Sequence, residues 1–501
     1  MHTVHVRVND AATKQPTPVR IHFRDADGNY FAPFGRLTDF ATDLGVDVGG
    51  NVDFSGRKYA FIDGACEIGI PSGPMSVEVR KGFEYRPLCQ TMHVGAAKLA
   101  LRLGVERWID MRGLGWYSGD TWAQDLTPHA ALLEAAAEDL AVVNLLAAET
   151  LVSGYGGRQY PAISNILAFS GQQPALRRDG HLVVVNTLNQ HETLGRLALL
   201  NCHRAVYPLS FGGRDGVDDW SLADWCDQGH RKAGLVIGHN FFDHYGGYHH
   251  GELLADLILG KIDALELNGG FEHHDNPVLG EWQALLDAGF RVPVVGGSDK
   301  RDNLGILGSR RTYARLEPGQ EFNYKNWIEA VRAGRTFVTN GPLLFFTVEG
   351  LYPGAVVHLP PGGGTVRVRA EAKCLAAFER VEVVANGMVR AHADARGSPA
   401  EAVVEAEVPM TGSGWLAARC VGPYDGEGTM WWLGAQTSPV YVAVEGAAPK
   451  ADVATLAPFF KALDEMRDWV AHSAKCATDK HREHLASIFE SARTELTRRQ
   501  R

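Results

Sequence analysis

The sequence is poor in what would stabilise or address a chain by special means. Its seven cysteines, Cys66, Cys89, Cys202, Cys226, Cys374, Cys420 and Cys476, are odd in number and never spaced as C-x-x-C. That excludes a disulfide framework and a thiolate zinc site. No uninterrupted apolar run reaches the ~18 residues needed to cross a bilayer, and Met1-His2-Thr3-Val4 opens no signal-type apolar stretch. The expectation is a cytoplasmic protein with no membrane partner, or an exported one whose leader lies outside this sequence. Basic excess is also lacking. Lys and Arg number 49 against 59 Asp and Glu, a net charge of −10, so no nucleic-acid partner is indicated. No repeat of ~20–50 residues recurs.

What is present is length for about three domains, a 45% hydrophobic composition suited to packed cores, and twenty histidines. Residues 1–107 alternate as strands, with Val4, Val6 and Val8, then Val19, Ile21 and Phe23, then Val77 and Val79. Turns such as Pro71-Ser72-Gly73-Pro74 separate them, predicting a β-sandwich. Over 108–342 apolar runs at Leu182–Val185, Leu197–Leu200, Leu235–Ile237, Ala264–Leu267 and Val292–Val295 alternate with amphipathic stretches, which predicts parallel βα units closed as a barrel. Residues 343–447 return to strands alone, a second sandwich. From 448 to 501, Leu456, Phe459, Leu463, Met466 and Val470, then Leu485, Phe489 and Leu496, recur at helical spacing. The tail is read as a helical hairpin packed on its own body in preference to a dimerisation arm, homo-oligomerisation being the alternative.

In a βα barrel the chemistry sits at the carboxyl ends of the strands. Those ends carry Asp120, Asn189 and His191, His239, Glu266, and Asp299. Imidazole and carboxylate together can hold a divalent ion that activates water. His191, His239 and Asp299 are therefore the expected metal ligands. Glu266 is read first as a strand-end acid paired with a neighbouring Lys or Arg, metal ligation being the alternative. His249-His250 and His273-His274 are read first as solvated loop residues, with His273, His274 or Asp120 available as general base or substrate contact.

Several separated segments resemble one family. They are Gly115-Trp116-Tyr117-Ser118-Gly119-Asp120-Thr121, Gln190-His191-Glu192-Thr193-Leu194-Gly195, Gly234–Asn240, Gly297-Ser298-Asp299 and Arg332–Pro342. In order and content they are similar to the carbaryl-hydrolase-like (CehA/McbA) branch of the polymerase and histidinol phosphatase (PHP) superfamily. The resemblance implies an α/β fold, a PHP-like distorted (β/α)7 barrel flanked by N- and C-terminal β-sandwiches and a helical tail. It also implies metal-dependent hydrolysis of esters, carbamates, amides or phosphoesters. Three positions depart from the family pattern. Trp122-Ala123-Gln124 stands where active members carry His-x-His, Thr187 and Leu188 where a Glu is common, and Arg301 where many have His. Indole and alanine do not ligate metals, and a glutamine amide is a poor ligand beside imidazole.

Two functional expectations follow. One is a hydrolase of a small-molecule substrate with a reduced, mononuclear site holding Zn, Mn or Fe. The other is a metal-free cleft that binds a small ligand or catalyses non-hydrolytic chemistry, with Trp122 as an apolar wall and Gln124 and Asn189 hydrogen-bonding the ligand. A minor alternative places function in the sandwiches as adhesion modules, with Trp431-Trp432 as an aromatic contact.

Overall fold

A computed structural model describes residues 1–43, 46–95, 100–153, 159–213, 216–267, 277–425, 431–449 and 451–500. His273 and His274 lie outside the described residues. The chain divides into two compact units, Met1–Leu146 with Ser164–Val185 and Gly297–Gly319, and Ala147–Ile163 with Asn186–Gly296 and Gln320–Arg501. Among the described residues there are seven α-helices: α1 Pro128–Ala137, α2 Leu222–Arg231, α3 Leu253–Ile258, α4 Pro277–Asp287, α5 Tyr324–Arg332, α6 Val453–His472 and α7 Asp479–Arg498. None is long and apolar enough to cross a membrane.

In the first unit, strand His2–Asp10 lies between Ala65–Ile70, antiparallel, and Ala100–Val105, parallel. A second sheet runs in the order Asn51–Phe54, Arg57–Ile62, Val19–Asp25, Gly73–Arg80, Leu88–Val94. Val4, Val6 and Val8 from the first sheet share a core with Ile21, Phe23, Val77 and Val79 from the second. Their alternation in sequence is what puts them on one face. The unit also holds Trp116–Ala123, parallel to the start of Val142–Ser153 but antiparallel to Arg311–Arg315.

The second unit contains the hairpin whose Thr187–His191 arm pairs antiparallel with Gly195–Leu199. Gly195–Leu200 in turn lies antiparallel to Leu235–His239, and Leu235–His239, Ala264–Glu266 and Val294–Val295 follow in parallel. Farther along the chain, Leu343–Val348, Gly364–Cys374 and Ala400–Met410 form one antiparallel sheet. Arg380–Ala385, Met388–Asp394, Gly414–Asp425 and Trp431–Thr437 pair antiparallel as well. Helices α6 and α7 bury Leu456, Phe459, Leu463, Met466, Leu485 and Phe489 in the same core as Trp225, Leu253 and Trp282.

The (β/α)7 barrel expected over 108–342 is not what forms. Among the described residues the strands do not close into a barrel, and the sevenfold βα alternation is missing. Apolar runs mark Leu182–Val185 and Leu197–Leu200 as buried strands without fixing their direction. The connector Glu192-Thr193-Leu194 fixes it, because three residues suffice for a hairpin and not for a parallel crossover. Only α1 to α5 fall in the region, and no α-helix separates Val142–Ser153 from Gly195–Leu200 among the described residues.

Local signals account for the helix starts. Thr127 caps α1 with Pro128 next to it, Ser221 and Asp224 form a capping box on α2, and Asn323, Asp452 and Thr478 cap α5, α6 and α7. Helix α2 receives a second acceptor from afar. The carboxylate of Glu252, fully buried ahead of α3, takes the Ala223 N–H at 2.9 Å. Asp256, one turn on, is also fully buried.

Burial pushes Glu252 up to about 8, and burial with the neighbouring Glu252 raises Asp256 well above the ordinary carboxylate range. Both folded values lie above the unfolded ones, so the folded state holds protons that the unfolded chain releases. Their contribution is full below about pH 4 and is lost as pH rises toward 8, by up to about 1.4 kcal/mol per pH unit for each proton. Urea midpoints should therefore fall between pH 5 and 8, and Glu252→Gln should flatten that slope. An equally steep slope in Glu252→Gln would assign it to other groups.

Candidate functional site

Asp120, the first expected acid-base residue, is a structural clamp in the first unit. Its carboxylate is fully buried and accepts four hydrogen bonds. Oδ1 takes the N–H of Trp122 at 2.9 Å and of Ser298 at 3.0 Å. Oδ2 takes the Ser298 hydroxyl at 2.5 Å and the Gly308 N–H at 2.8 Å. Burial pushes its pKa up to about 6 even though these donors oppose the rise. A Cβ on Gly297 would stand 2.5 Å from the Trp122 nitrogen and 2.8 Å from Asp120 Oδ1, so this close approach needs glycine.

Trp122 is also fully buried, with the Arg301 guanidinium 5.7 Å from its ring centre. Arg301 makes a 2.8 Å ion pair with Asp299, whose backbone lies at φ 51. Thus Arg301, at the position where the resemblance leads one to expect histidine, sets a fixed positive charge on the carboxylate expected to ligate metal. Gln124 is nearly buried, and its backbone N–H reaches the Lys300 carbonyl at 2.8 Å.

His191 and His239, together with Asn189, belong to the second unit. The ring of His191 is held on both sides. Nδ1 accepts the N–H groups of Thr193 and Leu194, each at 3.0 Å, so the ring proton is on Nε2, which donates to Asp218 at 2.9 Å. Asp218 also takes the Lys475 N–H at 2.7 Å. Burial raises the Asp218 carboxyl, but the bonds from His191 and Lys475 outweigh it and leave the pKa below its ordinary value. His191 therefore closes the hairpin turn and ties it to the segment at Asp218.

Gly212, at φ +70, sits against that bond, and a Cβ there would come within 2.2 Å of His191 Nε2 and 2.4 Å of Asp218 Oδ1. Gly212→Ala is expected to destabilise the chain by about 2 kcal/mol or more, through backbone strain and the broken pair. A thermal-melt midpoint within 1 °C of wild type (roughly the assay's reach) would show the turn does not depend on it.

Asn189 is fully buried and has a similar duty. Its amide nitrogen donates to the carbonyls of Val206 at 2.9 Å and Pro208 at 3.1 Å, and its oxygen accepts from Thr187. It holds a loop, with no donor left over for a substrate. His239 forms a fully buried pair through Nδ1 with Glu266 Oε2. A carboxylate behind Nδ1 fixes the tautomer and leaves the ring lone pair on Nε2. Glu266 is thus paired with a histidine, where the sequence suggested a lysine or arginine.

Beside these residues the second unit opens a cleft of about 890 Å³. Gln190, Arg196, Asn240, Asp243 and His244 line it, with Glu149, Glu192 and Phe211 among the other lining residues. Strand pairing sets two of these side chains together, because Arg196 stands opposite Gln190, with the buried His239 opposite Arg196 on the next strand. The Gln190 amide is anchored to the Glu149 carbonyl at 2.8 Å. The Arg196 guanidinium makes no hydrogen bond or ion pair with any described residue. Sequence reading passed over Arg196; its only signal there is a charged residue heading the apolar run Leu197–Leu200.

No protein-family model and no curated protein is similar to the chain. Among solved structures, PsfC from Pseudomonas syringae is similar over 43% of this chain and 88% of that one, with 13% identity and a TM-score of 0.28, too low to assign a fold.

Proposed function

We propose that the chain binds a small polar molecule bearing a carboxylate or phosphate in the cleft around Arg196, and that it does so without a metal at the expected ligand positions. The observation that carries this reading is Arg196 itself, a permanent cation lining the cleft that makes no ion pair with any described residue. A guanidinium presents donors in a fork matched to carboxylate and phosphate oxygens. Gln190 and Asn240 supply amides beside it, and Glu149, Glu192 and Asp243 can accept from hydroxyl or amino groups on the same ligand.

The hydrolase expectation asks more of the chain. For His191 to ligate an ion it would have to give up Asp218 or two backbone N–H groups, and Asp299 carries the Arg301 cation on Oδ2, beside any ion it would ligate. His239, backed by Glu266, has the arrangement of a general base or a metal ligand, but one such residue does not make a hydrolytic centre. The ligand-binding reading is tested by calorimetric titration of the full chain with inorganic phosphate and with malonate as minimal anions. Saturable binding of either at millimolar or lower concentration supports it. No heat from either anion would overturn it.

A further inference from the structure

Away from the cleft floor, three side chains of the second unit converge in a way the proposed anion site does not use. His249 and His250 end the small hairpin His244-Tyr245 with Tyr248-His249, and Glu281 faces them from α4. We propose that His249, His250 and Glu281 form a binding site for one divalent metal ion of the zinc class, joining this hairpin to α4.

The geometry supports it in three ways. First, the tautomer of His250 is fixed. Its Nδ1 lies 2.8 Å from the Phe241 carbonyl, which can only accept, so Nδ1 carries the proton and Nε2 the lone pair. Only 2% of that side chain is exposed.

Second, the atom that Nε2 faces is another lone-pair atom. Glu281 Oε2 is buried and has no hydrogen-bond partner among the described residues, yet it lies 3.4 Å from His250 Nε2 and 3.5 Å from His249 Nε2. A shared proton would draw such atoms to about 2.7–2.9 Å. The wider separation matches the edge of a tetrahedron whose ligands stand ~2.0–2.1 Å from zinc, which is ~3.3–3.4 Å. A cation between His250 Nε2 and Glu281 Oε2 turns that repulsive pair into an attractive one.

Third, the three ligand atoms lie within 4.8 Å of one another, and the side chains of His249 and Glu281 are 29% and 28% exposed. An ion can therefore enter, and a water molecule can complete the shell. The Phe241 carbonyl behind His250 is the kind of outer-sphere acceptor that holds a metal-bound imidazole in place. Binding requires His249 Nε2 to release the proton it donates to the Phe242 carbonyl at 3.2 Å, the ring proton moving to Nδ1, and the metal bond replaces that contact. His249 and His250 stack at 3.8 Å with their planes 15° apart, so His249 must also turn out of this stack to aim its in-plane lone pair at the ion, and it would carry with it His244, a cleft-lining residue stacked on it at 4.6 Å. An ion here would thus rearrange one wall of the cleft.

The test uses the full chain, freed of metal by chelator and titrated with Zn2+ by calorimetry and with Co2+ by its visible absorption. The expected result is about one equivalent bound, with the intense bands of four-coordinate Co2+. Glu281→Gln and His249→Ala, both at partly exposed side chains, should each weaken Zn2+ binding on the order of a hundredfold, while Glu405→Gln, at an exposed position on strand Ala400–Met410, leaves it unchanged. Uptake below about 0.2 equivalents by the wild type would overturn the proposal. So would unchanged affinity in both Glu281→Gln and His249→Ala, which would place the ion elsewhere. Phosphate binding through Arg196 is read separately, so either proposal can fail alone.

Discussion

Asp120→Ala is expected to cost about 4 kcal/mol or more of unfolding free energy, the largest loss from any single side chain considered. The carboxylate accepts three backbone N–H groups and one hydroxyl in a site with no water-accessible surface. Truncation strands all four donors, and each buried donor left without an acceptor costs about 1–3 kcal/mol. The loss is offset only in part by relief of the unfavourable burial that raises the pKa of the acid. Asp120→Asn separates the contributions. Its oxygen can keep the Trp122 and Ser298 N–H groups, and its NH2 can donate to the Ser298 hydroxyl, but the same NH2 faces the Gly308 N–H, donor against donor. A loss of about 1–3 kcal/mol is expected for this variant. Guanidinium titrations followed by hydrogen exchange over 116–123 and 297–308 measure both. Wild-type stability in Asp120→Ala would return this residue to the role the sequence suggested, a carboxylate available for proton transfer.

Arg196→Gln should have the opposite profile, with intact stability and lost binding. The guanidinium has no protein partner among the described residues, so its removal breaks no internal bond. A charge-assisted hydrogen bond to a ligand is worth about 1.5–3 kcal/mol, which corresponds to a roughly 10- to 150-fold rise in the Kd for inorganic phosphate. Arg196→Lys keeps the charge and loses the fork, so it should fall between the two. Added salt should weaken wild-type binding more than that of Arg196→Gln, because only the former pairs charges. Equal phosphate affinity in wild type and Arg196→Gln would move the binding site away from this strand and remove the observation on which the proposed function rests.

The contrast between these two residues shows how far strand-end reasoning reaches. Asp120, His191 and Asn189 have the residue types of a catalytic site, and each was placed at a strand end where chemistry is expected. Each is instead saturated by protein atoms: four donors on Asp120, two amides and Asp218 around His191, and two carbonyls and Thr187 around Asn189. Some of these partners are near neighbours, but residue type and position along the chain do not reveal the distant ones, such as Val206 17 residues from Asn189 and Gly308 188 from Asp120. Arg301 was legible as a departure from a family pattern. Its pairing with Asp299 was not, although the i, i+2 spacing makes such a contact short-range. His249 and His250 were visible as a pair, but their third member, Glu281, lies 31 residues beyond His250, on a helix whose placement depends on the core around Trp282.

Local sequence by itself determined the buried faces and the breaks. Alternating Val4, Val6 and Val8 point one way because successive side chains on a strand must, and the tail residues from Leu456 to Leu496 line one stripe because 3.6 residues make a turn. Caps at Thr127, Ser221, Asn323, Asp452 and Thr478 start helices through bonds spanning three residues. Strand direction over 108–342, and with it the closed barrel, was decided by tertiary structure. A buried apolar run satisfies a parallel or an antiparallel neighbour equally, and the choice depends on connectors and on distant pairings such as Trp116 with Arg315. The hairpin set Arg196 beside Gln190, and only the pairing with the distant strand Leu235–His239 put His239 on its other side.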